Sequence, residues 1–146
     1  MNKPAWLNLK FMIDNFNGIF YLIVFIVHFL AYAVYAYRTV FDTKNFCDKY
    51  GMDHSAAIIT RFFGAFFIGS TLMAIEILLV GIEGTWPFFV LVFLQNLSAF
   101  FIGIFAIKIS KLGVNEKTLI EGIIAPGVLT ILSTILIYGL SDKIYS

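Results

Sequence analysis

Hydrophobic residues run through this chain in four long blocks, at 18–37, 56–80, 86–107 and 119–140, separated by short polar intervals. A helix needs about 20 mostly apolar residues to cross a hydrocarbon core. In lipid, every backbone amide must find its partner inside the segment, so blocks of this length predict helices. The period-two alternation of a membrane barrel is absent. The expected fold is all-α: an up-down bundle of four transmembrane helices forming one integral membrane domain over 1–146.

The polar intervals set the connections. Residues 81–85 make a tight turn with two glycines, which predicts that the second and third spans pack as antiparallel neighbours. Residues 108–118 form a short polar loop. In the longest interval, 38–55, Asp42 or Thr43 opens a brief helix through Tyr50, and Gly51 suits the position just past its end. Phe46 and Tyr50 share one face of this helix, which is expected to lie on the membrane surface. Asp53 or Ser55 then caps the second span. Ahead of the first span, Trp6, Leu9, Ile13 and Phe16 follow helical spacing and predict a second interfacial segment. Ala31-Tyr32-Ala33 resembles a signal-peptide cleavage site. The apolar run continues past it, however, and Asp14 stands in the leading region, so the segment reads as a span.

Composition agrees with the pattern. The chain is 60% hydrophobic and 13% charged, with a mean hydropathy of +0.91. Soluble domains carry about a quarter charged residues. The high hydrophobicity also excludes disorder. Ten Lys+Arg against nine Asp+Glu leave a net charge of +1, with no basic surface for nucleic acid. Arg38, Lys44, Lys49, Lys108, Lys111 and Lys117 lie between the first and second or the third and fourth spans. Only Lys3, Lys10 and Lys143 lie on the other side. That bias puts the basic loops in the cytoplasm and both termini outside the cell membrane.

The residue inventory excludes much chemistry. A single cysteine, Cys47, rules out an internal disulfide, a CxxC redox pair and a multi-cysteine cluster. Two histidines, His28 and His54, are too few for a bundle holding two haems by paired histidines. Hydrolase and nucleotide-binding motifs are missing, as is the first-span acid of the small multidrug exporters. Cys47 and His54 are expected to be solvent-exposed rather than metal ligands. No catalytic residue, metal or cofactor is expected.

What remains is a set of polar residues inside the spans, each costly unless it faces protein or water. His28 lies at the middle of the first span and Gln95 and Asn96 at the middle of the third, with Ser70 and Thr71 of the second and Thr130, Ser133 and Thr134 of the fourth near the same level. They form either a midplane ligand or proton site around His28 and Asn96, or a layer of interhelical hydrogen bonds. Arg61 and Glu76 both lie in the second span, fifteen residues or roughly 22 Å apart, and cannot meet. Arg61 lies near the depth of Glu121, and an Arg61–Glu121 pair is expected. Glu76 is expected near Tyr21, Trp86, Tyr138 and Lys143. Arg61, Ala65, Gly69, Leu72 and Glu76 form one stripe, and Val92, Asn96, Ala99 and Gly103 another. These predict close packing of the second span on the third. Gly122 and Gly127 offer the same on the fourth, which Pro126 bends.

The run Arg61-Phe62-Phe63-Gly64, continuing to Gly69, follows a loop that ends in Tyr50-Gly51-Met52. This resembles the small four-helix bacterial membrane proteins of the broad DoxX-like group. In those, a first span is followed by a short amphipathic segment and a glycine-rich second span opening with arginine. The resemblance implies a fold and no catalytic residues. The glutathione-linked membrane enzymes of eicosanoid metabolism and the dual-topology fluoride channels fit less well, because their Arg-Asn-Glu and glycine-arginine signatures are missing. The leading expectation is a non-enzymatic membrane protein that binds a lipid or a partner membrane protein, as an oligomer or accessory subunit. Two others stand beside it: a small oligomeric transporter or channel with a midplane polar site, and an enzyme acting on a lipid or quinone with His28 as proton donor.

Overall fold

The computed structural model describes residues 9–146, so Lys3 and Trp6 lie outside the described residues. Among the described residues the α-helices follow in order: α1 (Leu9–Asn15), α2 (Ile19–Val40), α3 (Thr43–Tyr50), α4 (Ala57–Val80), α5 (Trp86–Ile104), α6 (Glu121–Gly139) and α7 (Ser141–Ile144). A 3-10 turn at His54–Ala56 leads into α4, and a π-helical stretch at Phe105–Ser110 prolongs α5. Helices α2, α4, α5 and α6 are long and apolar enough to cross a membrane, as in a multi-pass membrane protein. No strand occurs among the described residues.

The local signals act as the sequence predicts. Helix α3 ends at Gly51, whose φ of 64° is left-handed and lets its N–H turn back to the last carbonyls of the helix. Asp53 accepts the Ser55 N–H at 2.8 Å and caps the entry to α4. The loop after α5 docks onto α3, where the Asn115 amide donates to the Gly51 carbonyl at 2.7 Å.

The helix pairing differs from expectation. Helix α2 packs on α4 and α6, and α5 packs on α6, but α4 and α5 form no interface. Around the bundle the order is α4, α2, α6, α5, and the ring stays open between its two ends. Helix α2 is the hub, with 39% of its apolar window buried, against 11–22% for the other three. The five-residue turn at 81–85 ties α4 and α5 together at one end only.

The cause lies in which face of α4 is covered. Helix α4 buries Thr60, Gly64, Ala74 and Ile77, and an added Cβ at Gly64 would meet the Thr39 hydroxyl of α2 at 2.5 Å. The stripe of Arg61, Ala65, Gly69, Leu72 and Glu76 is centred about 160° around the helix from that buried face, at roughly 100° per residue. All five are exposed, and a Cβ at Gly69 meets nothing within 4 Å. The stripe on α5 closes against α6 instead. There Gly103 lies against the Gly122 backbone, and a Cβ at Gly127 would touch the Phe100 ring at 3.1 Å. Small residues do bring backbones together, but in the pairs α2–α4 and α5–α6.

The two halves of the bundle are packed differently. In the half nearest the termini, Phe25 contacts Phe16 and Phe29 at 4.7 Å and Phe89 at 6.0 Å, so rings join α2 to α5. Ile82, Leu136, Leu140 and Ile144 are fully buried there. Trp86 stacks on Tyr145 at 5.9 Å, and Asn17 donates to the Gly139 carbonyl at 3.1 Å. In the half nearest the basic loops, α4 and α5 stand apart.

Candidate functional site

The gap between α4 and α5 is a cleft of about 820 Å³, within the roughly 300–1,000 Å³ of small-molecule sites. Phe63, Phe66 and Phe67 line it from α4, Leu94 and Ile102 from α5, and Pro126 and Leu129 from α6. Phe63, Phe66, Leu94 and Ile102 are exposed, so the cleft opens sideways, toward the surface a bilayer would cover. It runs from the middle of the bundle, at Tyr32 and Asn96, to the basic-loop end, at Tyr50 and Glu121.

The inner end is the midplane polar layer. The Asn96 carbonyl oxygen accepts from the Tyr32 hydroxyl at 2.9 Å, and its amide nitrogen donates to Ser133 Oγ at 3.2 Å. The same nitrogen lies 3.5 Å from His28 Nε2. Ser133 donates to the Leu129 carbonyl at 2.8 Å. His28, Asn96 and Ser133 are thus brought together as expected. His28 is completely buried and does not line the cleft. Its Nδ1 has no hydrogen-bond partner among the described residues. Tyr32 was not among the sequence candidates, although it stands one turn beyond His28 and shares its face. Gln95 points the other way: it is exposed, lines the cleft and has no partner among the described residues.

The mouth is charged. Glu121 accepts from Lys49 Nζ at 2.8 Å and from the Tyr35 hydroxyl at 2.8 Å, and lies 3.8 Å from Arg38 Nη1. The Arg38 guanidinium sits over the rings of Phe46 and Tyr50, at 5.5 and 5.9 Å. The expected Arg61–Glu121 pair is not formed. Arg61 projects from the exposed stripe of α4, and its Nε donates to Thr43 Oγ1 at 3.2 Å. Lys49 reaches Glu121 because α3 lies across the mouth, a placement that span depth alone does not reveal. Glu76 is exposed and has no ion-pair partner among the described residues, so the expected neighbourhood with Lys143 brings no contact.

Cys47 is also a correction. It is fully buried in the face that α3 turns to the bundle, whereas His54 is exposed and lies 2.8 Å from Asp48. No group of three or more metal-ligating side chains occurs among the described residues.

The hydrogen bond to Glu121 holds the Lys49 ammonium above its ordinary pKa. Burial first, and the Glu121 carboxylate second, raise the Tyr50 phenol. Because the Lys49 pKa is raised on folding, the contact stabilises the fold fully below the lysine's ordinary pKa, and that contribution fades as pH climbs through the raised value. Glu121→Gln should return Lys49 toward ordinary titration, so that Lys49 is acylated faster by an amine-reactive probe near pH 9. Equal rates in parent and variant would show that the contact does not persist in solution.

No protein-family model, curated protein or solved structure matches this chain.

Proposed function

We propose that the protein is a lipid-binding subunit of the cell membrane, holding the apolar body of an anionic amphiphile in the cleft between α4 and α5. One observation carries this reading: the cleft has apolar walls and a sideways opening, and it ends in a charged mouth. Apolar walls favour a hydrocarbon chain over a hydrated solute, and the open flank offers entry within the plane of the bilayer. Arg38 and Lys49 against Glu121 leave one positive charge at the mouth. Arg61, bonded to Thr43 nearby, adds another. Cationic groups at an interface attract anionic headgroups. With both termini outside, the mouth faces the cytoplasm.

The test is native mass spectrometry of the full chain in mild detergent. An anionic phospholipid should stay bound in preference to a zwitterionic one. Filling the cleft with Ala99→Phe should lower its retention several-fold. Retention that ignores headgroup charge would overturn the anionic assignment. Retention unchanged by Ala99→Phe would overturn the cleft as the site.

A second reading, a small transporter or channel, is favoured by a single feature: the cleft joins the basic-loop end to the midplane. It requires water in the cleft. In a Cys47→Ala background, Ala99→Cys should resist a charged, membrane-impermeant thiol reagent if lipid fills the space. Rapid labelling from the basic-loop side would favour the transporter. The enzyme reading has least support, because His28 does not reach the cleft.

A further inference from the structure

We infer that the amphiphile in the cleft carries a second hydrogen-bonding group, a hydroxyl or carbonyl partway along its apolar body, and that Gln95 and Ser98 receive it. The inference rests on the cleft being a lipid site. It concerns the chemistry of the chain rather than of the headgroup.

Two polar side chains in the middle of α5 are left over by the fold. Gln95 and Ser98 both line the cleft, both are exposed, and neither has a hydrogen-bond partner among the described residues. They stand three residues apart, so they share one face of the helix. Hydroxyls inside apolar helices ordinarily turn back to the carbonyl four residues earlier. Thr71, Thr130, Ser133 and Thr134 all do so, at 2.8–2.9 Å. Ser98 does not. The neighbouring Asn96 cannot serve the cleft, since its oxygen is held by Tyr32 and its nitrogen by Ser133.

An unpaired amide in hydrocarbon costs several kcal/mol. Leucine would avoid that cost at either position. Gln95 offers two N–H donors and a carbonyl acceptor, and Ser98 offers a hydroxyl that can do either. Together they can hold an oxygen that donates, accepts or does both.

The depth of this pair fixes where on the ligand the group must sit. Along α6, Leu129 in the cleft wall and Ser133 at the Asn96 layer lie eight and twelve residues from Glu121. At 1.5 Å per residue those are about 12 and 18 Å. A headgroup at the mouth therefore places the second polar group well down the chain. A simple saturated or unsaturated acyl chain has nothing there.

The experiment uses stearate and a series of hydroxystearates in which the hydroxyl moves along the chain. Each competes for a fluorescent fatty acid bound to the full protein in mild detergent. Stearate itself should displace the probe. A mid-chain hydroxyl should bind about threefold to tenfold tighter than stearate, and a hydroxyl beside the carboxylate should gain nothing. In Gln95→Leu/Ser98→Ala, whatever its affinity for stearate, the mid-chain advantage over stearate should vanish. A flat series, or an advantage that survives in the double variant, would overturn the inference and leave the lipid site standing. Failure of every fatty acid to displace the probe would overturn both. Loss of an oligomer in Gln95→Leu, read by native mass together with a flat series, would reassign Gln95 to contact between copies.

Discussion

Gly103→Ala is expected to lower stability by about 2–3 kcal/mol, the range of an overpacked site that cannot relax. An added Cβ would drive into the Gly122 carbonyl of α6 and reach Ile123 Cγ1 at 3.4 Å. A side-chain neighbour could swing aside, but a backbone oxygen can move only if the whole helix does. That oxygen is turned toward α5 for a reason found four residues on. Pro126 stands inside α6 and has no N–H to give it. The freed carbonyl lies where a Gly103 side chain would begin. Gly69→Ala is the control. Its Cβ meets nothing within 4 Å, and alanine is the better helix former by about 1 kcal/mol, so stability should hold or rise. Unfolding by added SDS, followed by circular dichroism, separates the two. A Gly103→Ala protein as stable as the parent would mean that α5 and α6 do not meet at this crossing.

The same pair of glycines marks where sequence reading succeeds and where it stops. Length and apolarity were enough for the four spans, because hydrocarbon thickness and backbone hydrogen bonding leave few other solutions. Thr43, Tyr50 and Gly51 were enough for α3, because the capping chemistry is local. Which helix meets which was not legible. Helix α4 carries small residues on two faces, at Gly64 and at Gly69, and periodicity reveals both stripes without saying which one is covered. The short turn at 81–85 suggested that α4 packs on α5, yet it fixes only their ends. The cleft follows from packing that does not happen, and no single residue announces that. The polar layer was half legible. His28, Asn96 and Ser133 stand out by type and depth, whereas Tyr32 reads as one more aromatic residue in an aromatic-rich span, and only the fold brings its hydroxyl to Asn96. Lys49 belonged to a surface helix whose place over Glu121 is a tertiary fact.

His28→Leu and Asn96→Leu are expected to behave differently although the two side chains are neighbours. Asn96→Leu removes the acceptor of the Tyr32 hydroxyl and the donor to Ser133. The buried Tyr32 hydroxyl is left without a partner in an apolar layer. The expected loss is about 2 kcal/mol, between the small worth of single bonds inside membranes and the cost of an orphaned polar group. His28 is the opposite case. With Asn96 donating toward Nε2, the ring proton belongs on Nδ1, where no acceptor waits. The imidazole already bears the cost of an unpaired donor. Leucine, of similar bulk, removes that cost along with the ring's 5.3 Å stacking on Tyr32 and the long 3.5 Å contact from Asn96. Stability should then stay within about 1 kcal/mol of the parent, whereas His28→Ala, which leaves a cavity, should lose about 2–4 kcal/mol. This ordering in SDS unfolding means that His28 serves the bundle mainly by its volume. If His28→Leu instead falls as far as His28→Ala, Nδ1 is engaged by a water or a bound polar group, and the midplane layer is a ligand site rather than a structural seam.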